Sequence, residues 1–141
     1  MDIACSSQHV SGVSQAMIVS MLRTWGWEGW EKHLKRIEEG YKKRRDAFIS
    51  ACEKHLTGLA TWNKEITAGM FAWISIEGVE DSEKLINEGA LSKKVILVPQ
   101  KVFSPFSKGG PACRASFSLA SEEQMGEAIR RLAELIKEYT K

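Results

Sequence analysis

The 141-residue sequence is poor in cysteine, proline and histidine, with three of each, and its net charge is only +2. Cys5, Cys52 and Cys113 are odd in number, far apart and free of any CxxC pair, which argues against a disulfide framework and for reduced thiols. His9, His33 and His55 stand apart from one another and from any cysteine or acidic ligand set, so no metal site is expected. Lys and Arg are scattered among Glu and Asp, which removes the electrostatic case for nucleic acid or an anionic membrane surface. No apolar run approaches the length of a membrane span, and Met1 to Val10 lacks a basic start followed by an apolar stretch. GxGxxG, phosphate-loop, HExxH and GxSxG signatures are all missing. The expectation is a soluble intracellular protein.

What is present is the balance of a globular domain: 43% hydrophobic and 27% charged residues, with enough chain for one real core. Met17, Ile18, Met21 and Leu22 share one face of a helix between Gln15 and Leu22, which Gly26 interrupts. A longer helix is predicted from Glu28 to Leu56, with Trp30, Leu34, Ile37, Tyr41, Phe48, Cys52 and Leu56 recurring every three or four residues. Lys42, Lys43, Arg44 and Arg45 lie between them and read as a solvated face. After Gly58 the period becomes that of strands, at Leu59 to Trp62 and at Gly69 to Ile76. A short helix capped by Asp81 or Ser82 runs to about Gly89. Val95 to Val98 reads as a strand stopped by Pro99. All three prolines fall in the loop from Pro99 to Pro111, which is long for a plain connection. Cys113 to Ser118 alternates, with Cys113, Ala115 and Phe117 on one face and Arg114, Ser116 and Ser118 on the other. The last helix begins at a capping box, Ser121 with Gln124, and carries Met125, Ile129, Leu132, Leu135 and Ile136 at helical spacing. This order predicts an α+β fold: a small, mostly antiparallel sheet packed by helices on one side and preceded by long helices.

Arg114 is the informative position. Flanked by small residues on the polar face of a strand, it can offer its planar fork to a carboxylate. Alternation alone equally predicts an ordinary solvent-facing Arg there, and by itself favours that reading.

The stretch Pro111-Ala112-Cys113-Arg114-Ala115-Ser116-Phe117-Ser118, followed by Ser121-Glu122-Glu123-Gln124-Met125, resembles the C-terminal signature of fold-type I, class I/II aminotransferases that use pyridoxal 5'-phosphate (PLP). It is most similar to the kynurenine/alpha-aminoadipate aminotransferase group. Gln15 to Gly26, Tyr41 to Ala51, Gly69-Met70-Phe71-Ala72-Trp73 and Val95 to Pro99 agree in the same order. The resemblance implies that Arg114 binds the substrate alpha-carboxylate, so that the alpha C–H is held against the cofactor. It also implies that Ser7, Ser11 and Ser14 lie in a segment near the cofactor phosphate and the neighbouring subunit, although serine is as common in loops and caps. Implied partners are an amino acid, a 2-oxo acid and a second copy of the chain in a homodimer. The implied compartment is the cytoplasm, with the mitochondrion as the alternative. Residues 28–141 correspond to the family's small C-terminal domain and residues 1–27 to a helical segment between domains.

Departures from the family pattern set further expectations. The match covers roughly the last third of such an enzyme, and no lysine here stands in the family's Ser-x-Ser-Lys setting. The chain alone is therefore expected not to bind PLP covalently and not to transaminate. Gln100 follows Pro99 where relatives commonly carry Gly, so amino-acid preference does not carry over. Phe103 and Phe106 are candidates either to line the substrate mouth or to anchor packing. Met17, Met21, Trp25 and Trp27 are expected to form an exposed apolar patch that favours association. The competing reading is a non-catalytic α+β binding or oligomerisation module.

Overall fold

The computed structural model describes residues 10–140. It divides into two compact units, one ending at Glu39 and the other beginning at Gly40. The longest element, α1 (Gly12–Leu56), bends at Gly26, whose φ of 62° lies in the left-handed region. A side chain there would meet no atom within 4 Å, so backbone conformation rather than space calls for glycine. The interruption expected at Gly26 is therefore present.

Among the described residues of the first unit, most apolar side chains face solvent. Met17, Trp25 and Trp27 are exposed and Met21 is half-buried. Leu34 and Ile37 are exposed as well. Periodicity placed them on an apolar stripe, but a stripe becomes core only where a second layer covers it. Along α1, burial begins at Phe48 and continues through Cys52 and Leu56.

The second unit contains the sheet. Strands β1 (Ala60–Trp62), β2 (Phe71–Ile76), β3 (Val98–Pro99) and β4 (Ala112–Ser116) pair antiparallel in the order β1-β2-β4-β3. Ala72, Ile74 and Ile76 of β2 and Cys113 and Ala115 of β4 point to one face and are buried, as is Phe117 just beyond. Phe48 reaches this face from α1, its ring centroid 5.8 Å from that of Phe117. The last helix, α3 (Glu122–Tyr139), buries Met125, Ile129, Leu132, Leu135 and Ile136, the residues its spacing selected. Its capping box is complete: Gln124 N–H donates to the Ser121 hydroxyl, and Ser121 N–H donates to the Gln124 side-chain oxygen. Helices thus cover one face of an antiparallel sheet, as expected from the sequence.

Two local elements differ from the sequence expectation. The short helix starts as α2 (Ser82–Lys84), capped by Asp81, but continues as a π-helical segment, Leu85–Ala90. Gly89 lies against Leu135 of α3, and a β-carbon there would approach the Leu135 side chain to 2.8 Å. The strand expected over Val95 to Val98 is instead Val98–Pro99. Val95 is held by the preceding segment, its N–H donating to the Ala90 carbonyl at 2.8 Å. Pro99 enters the sheet because β3 is an edge strand, where a missing N–H is tolerated.

Candidate carboxylate-binding site around Arg114

Arg114 lies at the middle of β4, opposite Trp73 of β2 on one side and Val98 of β3 on the other. Because Cys113 and Ala115 turn into the core, Arg114 projects from the opposite face, shared with Phe71 and Trp73. Its guanidinium carbon is 4.1 Å from the centroid of the Phe71 ring and 4.6 Å from that of Phe103. Both distances fall within cation–π range. The Phe103 ring in turn meets Trp73 edge-on, with centroids 5.2 Å apart and planes at 79°. Arg114 is half-buried and makes no ion pair with any described residue. A half-buried guanidinium set against two rings, with donors free for a ligand, is the arrangement a planar anion fits.

The loop that delivers Phe103 is fixed at several points. Its first residues form a 3-10 turn, Gln100–Phe103. The Gln100 side-chain oxygen accepts from Ala112 N–H at 3.2 Å. Gly110 packs directly on the same side chain, which a β-carbon there would overlap. Gly109 packs equally tightly on the Asp81 carboxylate. Ser82, fully buried, donates its N–H to the Gly110 carbonyl at 2.9 Å and its hydroxyl to the Ala112 carbonyl at 2.6 Å. Lys101 pairs with Glu83 at 2.7 Å, and the hydrogen bond and charge of Glu83 raise the Lys101 pKa. The loop and the first residue of β4 are therefore tied to the start of α2, just ahead of Arg114.

The other sequence candidates fall elsewhere. Ser7 lies outside the described residues. Ser11 caps α1: its carbonyl accepts from Gln15 N–H at 3.0 Å and its hydroxyl from Ser14 N–H at 3.5 Å. Ser11 and Ser14 are exposed and belong to the first unit, whereas Arg114 belongs to the second. Phe103 joins Arg114, while Phe106 is 90% exposed. The sequence reading placed Phe71 and Trp73 only in a strand that matches the family and Ser82 only as a possible helix cap, and gave none of them a part in the site. The signal for the first two was available, since two-residue alternation puts Phe71 and Trp73 opposite Ala72 and Ile74. Among the described residues no cluster of His, Cys, Asp and Glu suits a metal ion. None of their helices is long and apolar enough to cross a membrane.

No protein-family model matches the chain. It is 44% identical over 137 residues to the mitochondrial kynurenine/alpha-aminoadipate aminotransferase of Bos taurus, covering 96% of this chain and 32% of that protein. The corresponding enzyme of Mus musculus is 45% identical over 136 residues, covering 94% of this chain and 31% of the relative. The chain thus spans about a third of the length of the curated relatives it matches. Among solved structures, kynurenine aminotransferase from Pyrococcus horikoshii superposes with a TM-score of 0.75 at 31% identity, covering 92% of this chain and 35% of that one. Alpha-aminoadipate aminotransferase from Thermus thermophilus gives 0.81 at 23% identity over 96% of this chain and 33% of its own, a likeness of fold. The chain is a homologue of the kynurenine/alpha-aminoadipate aminotransferases and has the fold of the C-terminal domain of fold-type I PLP aminotransferases.

Proposed function

We propose that this chain provides the substrate-carboxylate grip of a PLP-dependent aminotransferase, with Arg114 as the grip. The observation that carries the reading is the Arg114 guanidinium lying against the rings of both Phe71 and Phe103 with no anionic partner among the described residues. The ligands would be an amino acid and a 2-oxo acid, which share the carboxylate that a planar fork holds at two points. A lysine in its place supplies charge without that orientation. In this reading residues 28–141 act as the small domain and residues 1–27 as a segment between domains, with Ser7, Ser11 and Ser14 toward the cofactor phosphate. The exposed Met17, Trp25 and Trp27 support a homodimer, which multi-angle light scattering tests. The names of the mammalian relatives favour the mitochondrion over the cytoplasm.

PLP, when bound, supplies an electron sink that acidifies the substrate alpha C–H. Its covalent attachment needs a lysine whose ammonium is easily deprotonated. None of the described lysines is buried, and the half-buried Lys93 and Lys101 are paired with Glu138 and Glu83, which supports the reading that the covalent attachment is made elsewhere. No step through PLP is therefore assigned to this chain, whose own residues bind and orient the carboxylate.

The test is a titration of the purified chain with 2-oxoglutarate, observed by NMR at the Arg114 side chain and, in every variant, at the backbone amides of β2 and β4. Saturable shifts that disappear in Arg114→Ala and weaken about tenfold or more in Arg114→Lys support the reading. Unchanged binding by Arg114→Ala overturns it. Incubation with PLP followed by borohydride tests the covalent part, and specific labelling of one lysine would refute it.

A further inference from the structure

We propose that Phe103 is a positioning residue: its ring closes over Arg114 and fixes the plane in which the guanidinium meets a carboxylate. The inference rests on the reading of Arg114 as a carboxylate grip and adds a residue to that site.

Arg114 starts from a strand that sets its direction but not the rotation of its fork. Phe71, on the neighbouring strand, supplies one wall, 4.1 Å from the guanidinium carbon. An arginine against one ring on a half-open sheet face keeps free rotamers on its other side, and losing them on binding costs affinity. Phe103 removes that freedom. It comes from the 3-10 turn Gln100–Phe103 and lies 4.6 Å from the same carbon, so the cation has two ring neighbours. Guanidinium faces suit aromatic stacking, which leaves the N–H donors along the edge free for a ligand.

Phe103 is itself braced. Trp73 meets it edge-on at 5.2 Å, a favoured aromatic geometry. The turn that carries it is fixed by the Gln100–Ala112 hydrogen bond and the Lys101–Glu83 ion pair. The brace is independent of Arg114: Trp73 and Phe103 touch each other directly. Phe103 nevertheless remains 41% exposed, so its contribution to the hydrophobic core is small. Its placement is better explained by the cation beside it than by burial.

The experiment uses the full 141-residue chain, with acetate as the probe, NMR of the arginine Nε–H groups as the readout of Arg114, and the backbone amides of β4 as the readout of binding in every variant. Ring currents from Phe71 and Phe103 are expected to shift the Arg114 side-chain protons upfield before any ligand is added. Phe103→Leu keeps an apolar side chain on the turn but removes the ring. It should lose part of that shift and raise the acetate Kd about three- to tenfold, the scale of a half-exposed cation–π contact. Phe103→Tyr should restore both. The rest of the amide spectrum and the Tm should change little in either variant.

Phe103→Leu with an unaltered Arg114 shift and unaltered Kd overturns the proposal while leaving Arg114 as the grip. Loss of binding that Phe103→Tyr fails to rescue also overturns it, since the ring would then have only a packing role. A wild-type chain whose Arg114 resonance ignores acetate, or an Arg114→Ala variant that binds acetate normally, removes the carboxylate reading and this inference with it.

Discussion

The two faces of the sheet are built from the same strands yet do different work. On the inner face Ala72, Ile74, Ile76, Cys113, Ala115 and Phe117 are closed off by α3 and the end of α1. On the outer face Phe71, Trp73 and Arg114 remain partly in water, and Phe103 of the Gln100–Phe103 turn meets Trp73 and Arg114. Burial fixes the inner side chains by packing, which is strong and indifferent to charge. Ring–cation and ring–ring contacts fix the outer ones, which is weaker but leaves donors free. One side of a single strand thus supplies stability and the other supplies recognition.

The sharpest test of that contrast is on the inner face. Phe117→Ala should lower the unfolding free energy by about 3–5 kcal/mol, the usual cost of deleting a buried aromatic ring, read by urea denaturation. A loss below about 1 kcal/mol would mean that the inner face is not the stabilising one.

The buried thiols give a smaller, pH-dependent version of the same test. Burial pushes both Cys52 and Cys113 up to about 12 from 9.0, with the charge of Glu53 adding to the effect at Cys52. Each folded-state pKa is raised, so the associated stability is complete below about pH 9 and drains away as pH climbs toward 12. At pH 10 the loss should be on the order of 1 kcal/mol per thiol. Denaturation curves at pH 8 and pH 10 should therefore converge for Cys113→Ala relative to the unmodified chain. Equal alkaline loss in both would show that the thiol is not the group responsible.

On the outer face, Trp73→Ala should cost only about 1 kcal/mol, the scale of one aromatic contact plus partial burial. It should also loosen Phe103, visible as a broader Arg114 resonance. A cost matching that of Phe117→Ala would erase the distinction between the faces.

Much of this arrangement was legible in the residue pattern. The alternation through Arg114 correctly separated Cys113, Ala115 and Phe117 from it, because strand period two is a property of the backbone. The helical spacing of Met125 to Ile136 named the buried face of α3, and Ser121 with Gln124 named its start. The stripe from Trp30 to Leu56 was less informative: Phe48, Cys52 and Leu56 are buried, while Leu34 and Ile37 are exposed. Periodicity shows which side of a helix is apolar; it does not show where along the helix a covering layer begins. The π-helical Leu85–Ala90 was equally invisible, as a five-residue hydrogen-bond spacing has no residue signature.

The sequence alone determined the α+β class, the break at Gly26, the face on which Arg114 stands and the kinship of the chain. These follow from local rules and from residue matches that hold without coordinates. Only the tertiary structure decided that Phe103 rather than Phe106 meets Arg114, that Pro99 lies in an edge strand, and that Ser82 ties the loop to β4. Each depends on bringing residues distant in the chain together, through Gly109 and Gly110 packing without side chains against Asp81 and Gln100.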